Sequence, residues 1–278
     1  ASPKHFCGPS SYTLELKNIQ PEGSDLNVPN IRNNYTVTDK ADGIRKLLFI
    51  NEKGKIYFIT MLMKVEFTGA LIKDEKFFNT ILDGEHILHD KHGRFINLFA
   101  AFDIYYFKGK SVREKEFAPL SDEETPNNFR ISILMKFIKS IKPESITKKE
   151  LSLRIENKRF FTAGVGGTIF DGCNTILKKV EDGLFEYKTD GLIFTPMEMG
   201  VGGSKKSVAS KPFKTTWEYS FKWKPPEFNT IDFLVSTVKD ENNKDKISNI
   251  FQKGDNMDGN SNLIQYKTLV LRVGFDEK

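Results

Sequence analysis

The sequence predicts an α+β fold in which strands outnumber helices, followed by a smaller β unit at the C-terminal end. Residues 35–108 carry short apolar runs separated by turn signals, and residues 127–142 and 173–182 carry helical patterns. After Pro225-Pro226 the chain becomes rich in strand-forming residues. We therefore place an approximate domain boundary at these prolines, with domains at 1–225 and 226–278.

The strands follow from the apolar runs and from the glycines between them. Gly54 stands between two lysines, and Gly93 follows His92, as is typical of turns. The expected strands are 12–16, 47–50, 56–63, 80–82, 95–107, 191–194, 220–224, 230–238 and 265–273.

Both helices have an apolar face. In the first, Ile131, Leu134 and Phe137 recur at helical spacing, and Pro126 suits the first turn. Gly183 is expected to end the second helix. The remaining positions of the first helix carry basic residues, which we interpret as a solvated face.

Composition excludes several classes of protein. The two cysteines, Cys7 and Cys173, lie far apart, which excludes a disulfide framework or a zinc ribbon and favours a reducing, cytoplasmic location. No apolar run approaches the roughly 18 residues needed to span a bilayer, so no membrane partner is expected. The net charge of +5 is compatible with a polyanionic partner. Because the chain begins with Ala rather than Met, we expect it to belong to a longer polypeptide.

A first candidate for chemistry is Lys40 in the run KADGIR, residues 40–45. A lysine is a poor nucleophile because its unperturbed pKa is roughly 10.4, but desolvation or nearby cations can lower that value. Gly43 would allow close approach to a phosphate. Taken alone, the run is more typical of a turn between strands than of a nucleophile, since Asp42-Gly43 is a favoured turn pair.

Further charged runs follow in order along the chain. Glu85 closes the run LDGE, Phe102 is the second residue of AFDIYY, and Asp190 is the second residue of TDGLIF. In FKWKP, Lys222 and Lys224 are expected on one face of a strand, because side chains alternate. Carboxylates suit a hard divalent cation and lysines suit a triphosphate, so these residues could form one site.

With these motifs, the chain resembles the covalent nucleotidyltransferases, which include mRNA capping enzymes and ATP-dependent polynucleotide ligases. The resemblance covers residues 35–235 and leans to the capping branch, because FKWKP is followed by NTIDF at 229–233. Phe67-Thr68-Gly69 is similar to capping enzymes of large cytoplasmic DNA viruses, of the African swine fever virus type, which would place the protein in host cytoplasm or virion.

The resemblance implies a fold, a reaction and a set of roles. The fold would be a mainly antiparallel two-sheet nucleotidyltransferase domain with flanking helices, followed by part of an OB-fold-like domain. Lys40 would attack the α-phosphorus of GTP to form a lysyl-N-GMP, and the GMP would pass to the 5′-diphosphate end of RNA. The remaining implied roles are ribose contacts from Arg45 and Glu85, base stacking by Phe102, Mg²⁺ or Mn²⁺ ligation by Glu85 and Asp190, and α-phosphate contacts from Lys222 and Lys224.

Several residues stay open at this stage. Lys188 is a candidate for reading the base edge, and Asp42 is expected to shape its loop. Asp83 and Asp103 could either relay to a metal or form structural hydrogen bonds. The loop 200–211 does not have P-loop spacing, but its lysines Lys205, Lys206 and Lys211 are candidates for RNA contacts.

One feature of the family is missing. Its last motif, Arg-x-Asp-Lys, has no match, and the nearest run, 272–278, has the wrong spacing. We expect the motif to lie beyond Lys278, in a longer chain. Two other functions remain open: adenylation by an ATP-dependent ligase through the same Lys40, and a catalytically silent module that binds RNA or nucleotide.

Overall fold

Strands make up most of the structure, with two α-helices among them. The computed structural model describes residues 2–21, 28–120, 128–146, 153–164, 166–231, 233–251 and 263–273. It divides into two compact units, Ala1–Glu227 and Phe228–Lys278. The predicted mixture of helix and strand is thus confirmed. No helix of the described residues is long and apolar enough to cross a membrane.

The first unit contains two sheets, which we call the five-stranded sheet and the eight-stranded sheet. Its strands are β1 (Ser10–Thr13), β2 (Tyr35–Ala41), β3 (Ile44–Ile50), β4 (Lys55–Thr60), β5 (Val65–Leu71), β6 (Thr80–His89), β7 (Phe95–Phe107), β8 (Lys110–Ser111), β9 (Glu144–Ser145), β10 (Arg154–Asn157), β11 (Phe161–Thr162), β12 (Thr189–Pro196) and β13 (Thr216–Trp223). The helices are α1 (Arg130–Ser140) and α2 (Ile169–Glu181), with short 3₁₀ turns at Pro3–His5, Leu16–Asn18, Glu75–Phe77 and Pro226–Phe228.

The strand order shows that both sheets are mainly antiparallel. The five-stranded sheet has the order β1-β13-β12-β2-β11, and the eight-stranded sheet has the order β10-β7-β6-β3-β4-β5-β9, with β8 paired to β7. Only the pairs β1–β13 and β10–β7 are parallel among these described strands.

Each sheet has its own hydrophobic core on the side that a helix covers. Leu48 and Phe99 of the eight-stranded sheet pack with Leu134 of α1. Val37 of the five-stranded sheet packs with Ile176 of α2. Because side chains alternate along a strand, Lys40 and Arg45 project from the faces of these sheets that the helices do not cover. The faces that carry the predicted motifs are therefore left for a site.

Element boundaries differ from the predicted ones for local reasons. Helix α1 ends at Ser140 rather than at 142, because Pro143 disfavours helical geometry in the residue before it. The predicted start at Thr125-Pro126 lies outside the described residues. Helix α2 begins at Ile169 rather than at 173, and Thr168 and Asp171 form a capping box at its start. Strand β7 has the predicted bounds.

The second unit contains β14 (Leu234–Thr237), β15 (Ile247–Phe251), β16 (Leu263–Lys267) and β17 (Leu269–Arg272). β14 pairs with β17, and β15 pairs with β16, as two separate antiparallel ladders. Strand β15 lies between the two strands predicted at 230–238 and 265–273 and was not predicted. None of the described residues of this unit is buried. The OB-fold-like domain thus stays a prediction.

Candidate active site

A cavity of about 220 Å³ lies between the two sheets of the first unit. Lys40, from β2, and Lys222, from β13, line it on the side of the five-stranded sheet. Arg45 from β3, Glu85 from β6 and Phe102 from β7 line it on the other side. The motifs at 40–45, 85, 102 and 222 are therefore brought together, although up to 182 residues separate them in the chain.

Lys40 belongs to a three-residue charge cluster. Its Nζ lies 2.6 Å from Asp190 Oδ1, and Lys224 Nζ lies 2.7 Å from Asp190 Oδ2. Burial alone would raise the pKa of Asp190, yet hydrogen bonds from Lys224 and Lys40 hold it below its usual value. A single carboxylate thus bridges the two cations and fixes both side chains.

A bulge in β12 brings Asp190 to this position. Thr189 pairs with Ala41 and Leu192 with Asp39, so β12 has one more residue than β2 opposite Lys40. Gly191 has φ of +143°, and a Cβ there would lie 1.9 Å from the Trp223 carbonyl oxygen. Only glycine fits this conformation and this contact. The glycine of TDGLIF is therefore needed to place the carboxylate beside it.

Arg45 is held from three sides. Its Nε and Nη2 donate to the two oxygens of Asp83 at 3.1 and 2.5 Å, and its Nη1 donates to the Pro9 carbonyl at 2.8 Å. The guanidinium lies 5.6 Å from the ring of Phe6 and 5.5 Å from that of Phe102. Such a bidentate, stacked arginine is fixed in one orientation.

The two aspartates left open by the sequence form structural ion pairs. Asp83 is fully buried and also accepts a hydrogen bond from the Tyr105 hydroxyl. Asp103 lies 2.8 Å from Nε of Arg130, which is fully buried at the start of α1. Their carboxylates are therefore committed to arginines, which favours the structural alternative for both.

Glu85 is different, because its carboxylate has no hydrogen bond or ion pair with another described residue. It stands opposite Arg45 in the β3–β6 pairing and faces the cavity. Burial raises its pKa to about 7, although the charges of Lys158 and Arg45 act in the opposite direction. The acid is thus available to bind a ligand or a cation.

Phe102 enters the cavity through an irregularity in β7. Asp83 pairs with Asp103 and Gly84 with Ala101, so Phe102 is an extra residue with no partner on β6. A bulge of this kind redirects a side chain and is common next to functional sites.

Lys188 lies elsewhere. It lines an open groove together with Asp42 and His86, and its carbonyl accepts a hydrogen bond from the Asp42 amide at 2.9 Å. This groove shares no lining residue with the cavity between the sheets. The role of Lys188 at the base edge stays a prediction that this position does not support.

Sequence reasoning missed Lys158, a buried cation that lines the cavity. Its Nζ lies 3.0 Å from Asp39 Oδ2 and also donates to the Asp39 carbonyl, while Tyr187 donates to the same carboxylate at 3.1 Å. Lys158 belongs to none of the motifs, so its position became visible only through the fold.

Comparison with known proteins gives the family. The model for the mRNA capping enzyme catalytic domain matches residues 22–226. The chain belongs to this family. The match spans the motifs from KADGIR to FKWKP. It therefore includes every residue that lines the cavity except Pro9, Ser10 and Ser11.

Capping enzymes of viruses and animals are among the relatives. The probable mRNA-capping enzyme of Acanthamoeba polyphaga mimivirus is 27% identical over 84% of this chain and 22% of its own length. The enzyme of African swine fever virus (isolate Pig/Kenya/KEN-50/1950) is 31% identical over 72% of this chain and 18% of its own. The mRNA-capping enzyme of Danio rerio is 26% identical over 84% of this chain and 35% of its own length. The chain thus spans about a fifth to a third of the length of these relatives.

Among solved structures, the ligase domain of M. tuberculosis LigD matches 90% of this chain and 65% of its own, with 11% identity and a TM-score of 0.45.

The residues expected to bind metal fit one mode of Mg²⁺ or Mn²⁺ binding. Within the described ranges, no three His, Cys, Asp or Glu side chains are grouped closely enough for a metal cage. Glu85 offers free carboxylate oxygens, whereas both oxygens of Asp190 accept from lysines. Mg²⁺ is commonly held by one or two carboxylates together with substrate phosphates. The site fits an ion that arrives with a nucleotide, and it does not fit an all-protein cage.

Proposed function

We propose that this chain is the guanylyltransferase part of an mRNA capping enzyme. In the first step Lys40 Nζ would form a bond to the α-phosphorus of GTP while the α–β phosphoanhydride bond breaks and pyrophosphate leaves. In the second step a β-phosphate oxygen of 5′-diphosphate RNA would displace Lys40 from the GMP. The observation that carries the proposal is a lysine in a two-sheet cavity that also contains a fixed arginine, a free carboxylate and further lysines.

The charge cluster sets a condition for the first step. Lys40 Nζ donates to the Asp190 carboxylate at 2.6 Å, and an amine engaged in this way is not free to attack phosphorus. We propose that the Lys40–Asp190 contact opens when the nucleotide binds, and that the Lys40 proton passes to solvent. Lys222 and Lys224 would then hold the α-phosphate on which negative charge develops.

The other lining residues would bind the nucleoside. Arg45, fixed by Asp83 and Pro9, and the unpaired Glu85 would contact the ribose, and Phe102 would stack on the base. Glu85 and Asp190 would hold Mg²⁺ or Mn²⁺, which offsets the charge on the phosphoryl oxygens. For the base edge we propose Lys158 rather than Lys188, because Lys158 lines this cavity.

The remaining expectations follow from this assignment. We propose that residues 1–225 carry the nucleotidyltransferase activity and that 226–278 belong to an OB-fold-like domain of a longer capping polypeptide acting in the cytoplasm. The run 272–278, where the last family motif was sought, lies largely outside the described residues.

Parallel incubation with labelled GTP and labelled ATP tests the proposal. We expect covalent label from GTP with Mg²⁺ or Mn²⁺, lost in a Lys40→Ala variant. Label from ATP alone would establish the ligase alternative instead. Reversible binding of either nucleotide without any adduct would establish the silent module. If GTP labels the chain, Lys158→Ala should raise the KM for GTP more than Lys188→Ala does.

A further inference from the structure

Two segments of the first unit carry positive charge without any acidic residue. Residues 2–14 and 199–217 contain no Asp or Glu. Their basic residues, all exposed, are Lys4, His5, Lys205, Lys206, Lys211 and Lys214. Such a run of cations is unusual in a chain that has 37 acidic residues among 278.

The fold brings the two segments together into one surface. The Lys214 amide donates to the Lys4 carbonyl at 3.0 Å, and the Ser10 amide donates to the Thr215 carbonyl at 2.8 Å. The ring of Phe213, which is 47% exposed, lies 6.1 Å from that of His5. The lysines of both segments therefore share one face of the protein.

The loop that carries several of these lysines is anchored to the body of the unit. Trp217 Nε1 donates to the Gly203 carbonyl at 2.7 Å, and Val201 is fully buried. The Val201 amide donates to the Arg113 carbonyl at 2.8 Å. The lysines consequently stand on an ordered support.

These lysines differ in their partners. Lys206 Nζ lies 3.1 Å from Glu198 and 3.6 Å from Glu116. The side chains of Lys4, Lys205, Lys211 and Lys214 form no ion pair with any described residue. We call these four residues the lysine surface. A cluster of unpaired cations attracts a polyanion more strongly than one neutralised by carboxylates.

Two stretches of chain connect the lysine surface to the lining of the cavity. Pro9, Ser10 and Ser11, which follow Lys4 in the chain, line the cavity, as does Trp217. Trp217 follows Lys214 by three positions, which limits the distance between their Cα atoms to about 10 Å. The lysines therefore lie within a few residues of the cavity lining, a distance that a polyanion whose end enters the cavity can span.

We propose that the lysine surface binds the backbone phosphates of single-stranded RNA whose 5′-diphosphate end occupies the cavity. This inference rests on the proposed function, because that function supplies the RNA end. Unpaired lysines match the phosphate charge, and the exposed ring of Phe213 offers a face on which a base can stack. Because these contacts lie outside the cavity, they should act on the acceptor RNA rather than on GTP.

Fluorescence anisotropy of the 278-residue chain with a labelled 5′-diphosphate single-stranded RNA tests the inference. In a Lys211→Ala/Lys214→Ala variant we expect the slope of log Kd against log salt to fall by about 0.7 per lysine, with weaker binding at low salt. The matched control is Lys139→Ala/Lys142→Ala, which removes two exposed lysines on the α1 side of the other sheet. Lys206→Ala should have a smaller effect, because its charge is already paired.

The outcomes separate this inference from the proposed function. Anisotropy needs no GTP, so a failure of wild-type protein to form an adduct would leave the RNA measurement interpretable. An unchanged salt slope in the Lys211→Ala/Lys214→Ala variant, or an equal change in the control, would overturn the inference. A loss of affinity for an acidic peptide but not for RNA would assign the lysine surface to a protein partner and would also overturn it.

Discussion

The cations of the cavity and those of the lysine surface face different surroundings. Lys40 and Lys224 share the carboxylate of Asp190, and Arg45 is paired with the buried Asp83. Lys211 and Lys214 have no ion-pair partner among the described residues. A paired cation is held in one orientation at the cost of part of its attraction for other anions, whereas an unpaired one keeps that attraction but has no fixed geometry. The cavity is thus arranged for chemistry and the lysine surface for binding.

The largest effect should come from Lys40. Removing its amine in Lys40→Ala takes away the only nitrogen proposed to bond to phosphorus, so covalent labelling by GTP should fall below detection. The labelled protein on a denaturing gel measures this directly. Lys53→Ala, which removes an exposed lysine in the β3–β4 turn, is the control and should label normally. Full labelling of the Lys40→Ala protein would assign the nucleophile to another residue.

Arg45 should matter most for stability. Arg45→Ala leaves the fully buried Asp83 carboxylate without its cation, which costs about 3 kcal/mol of unfolding free energy. The exposed Arg154, paired with Glu156 and Glu186, provides the contrast, since Arg154→Ala should cost no more than about 1 kcal/mol. Urea denaturation of both variants makes the comparison. Equal losses of unfolding free energy would mean that burial does not increase the contribution of the Arg45–Asp83 pair to stability.

Asp190 tests whether pairing positions the nucleophile. Asp190→Asn keeps the shape of the side chain but removes the charge that holds Lys40 and Lys224, so the rate of adduct formation should fall by roughly a hundredfold. Single-turnover labelling at saturating GTP measures the rate. Asp42→Asn, two residues from Lys40 and exposed, is the matched control. A faster rate in Asp190→Asn would show that the carboxylate only restrains Lys40.

Glu85 should give the smallest effect, as a dependence on pH. Burial raises its pKa from 4.5 to about 7, so between these values the folded protein holds a proton that the unfolded chain has released. The contribution of Glu85 is therefore present at low pH, and the free energy of unfolding falls as pH rises through about 7. Glu85→Gln should lack this fall. Urea denaturation in EDTA at about pH 5 and about pH 8 compares the two proteins, and parallel pH profiles would contradict a buried, titrating Glu85.

Ordered motifs were enough to predict much of the site. Lys40, Arg45, Glu85, Phe102 and Lys222 were predicted from short runs, and the structure places all of them around one cavity. Strand β7 was predicted with its correct bounds because its apolar run is long and bounded by turn residues. These features depend on local pattern, which the sequence displays directly.

Other features depend on contacts between distant segments. The approach of Asp190 to Lys40 needs a bulge in β12, and the burial of Lys158 beside Asp39 needs the residue after β10 to lie against β2 of the other sheet. Helix α2 begins four residues before the predicted start at 173 and includes Gly172. In the fold a Cβ at Gly172 would lie 2.7 Å from Phe161, so this glycine permits close packing inside the helix. Neither the bulge beside Asp190 nor the burial of Lys158 has a signature in the order of residues alone.

Intact mass spectrometry after incubation with GTP and Mg²⁺ or Mn²⁺ tests the central claim most directly. The account predicts a mass increase of one GMP on the wild-type chain, removed by mild acid as a phosphoramidate should be, and located on Lys40 by peptide mapping. An unchanged mass with GTP, or an adduct on any residue other than Lys40, would contradict it.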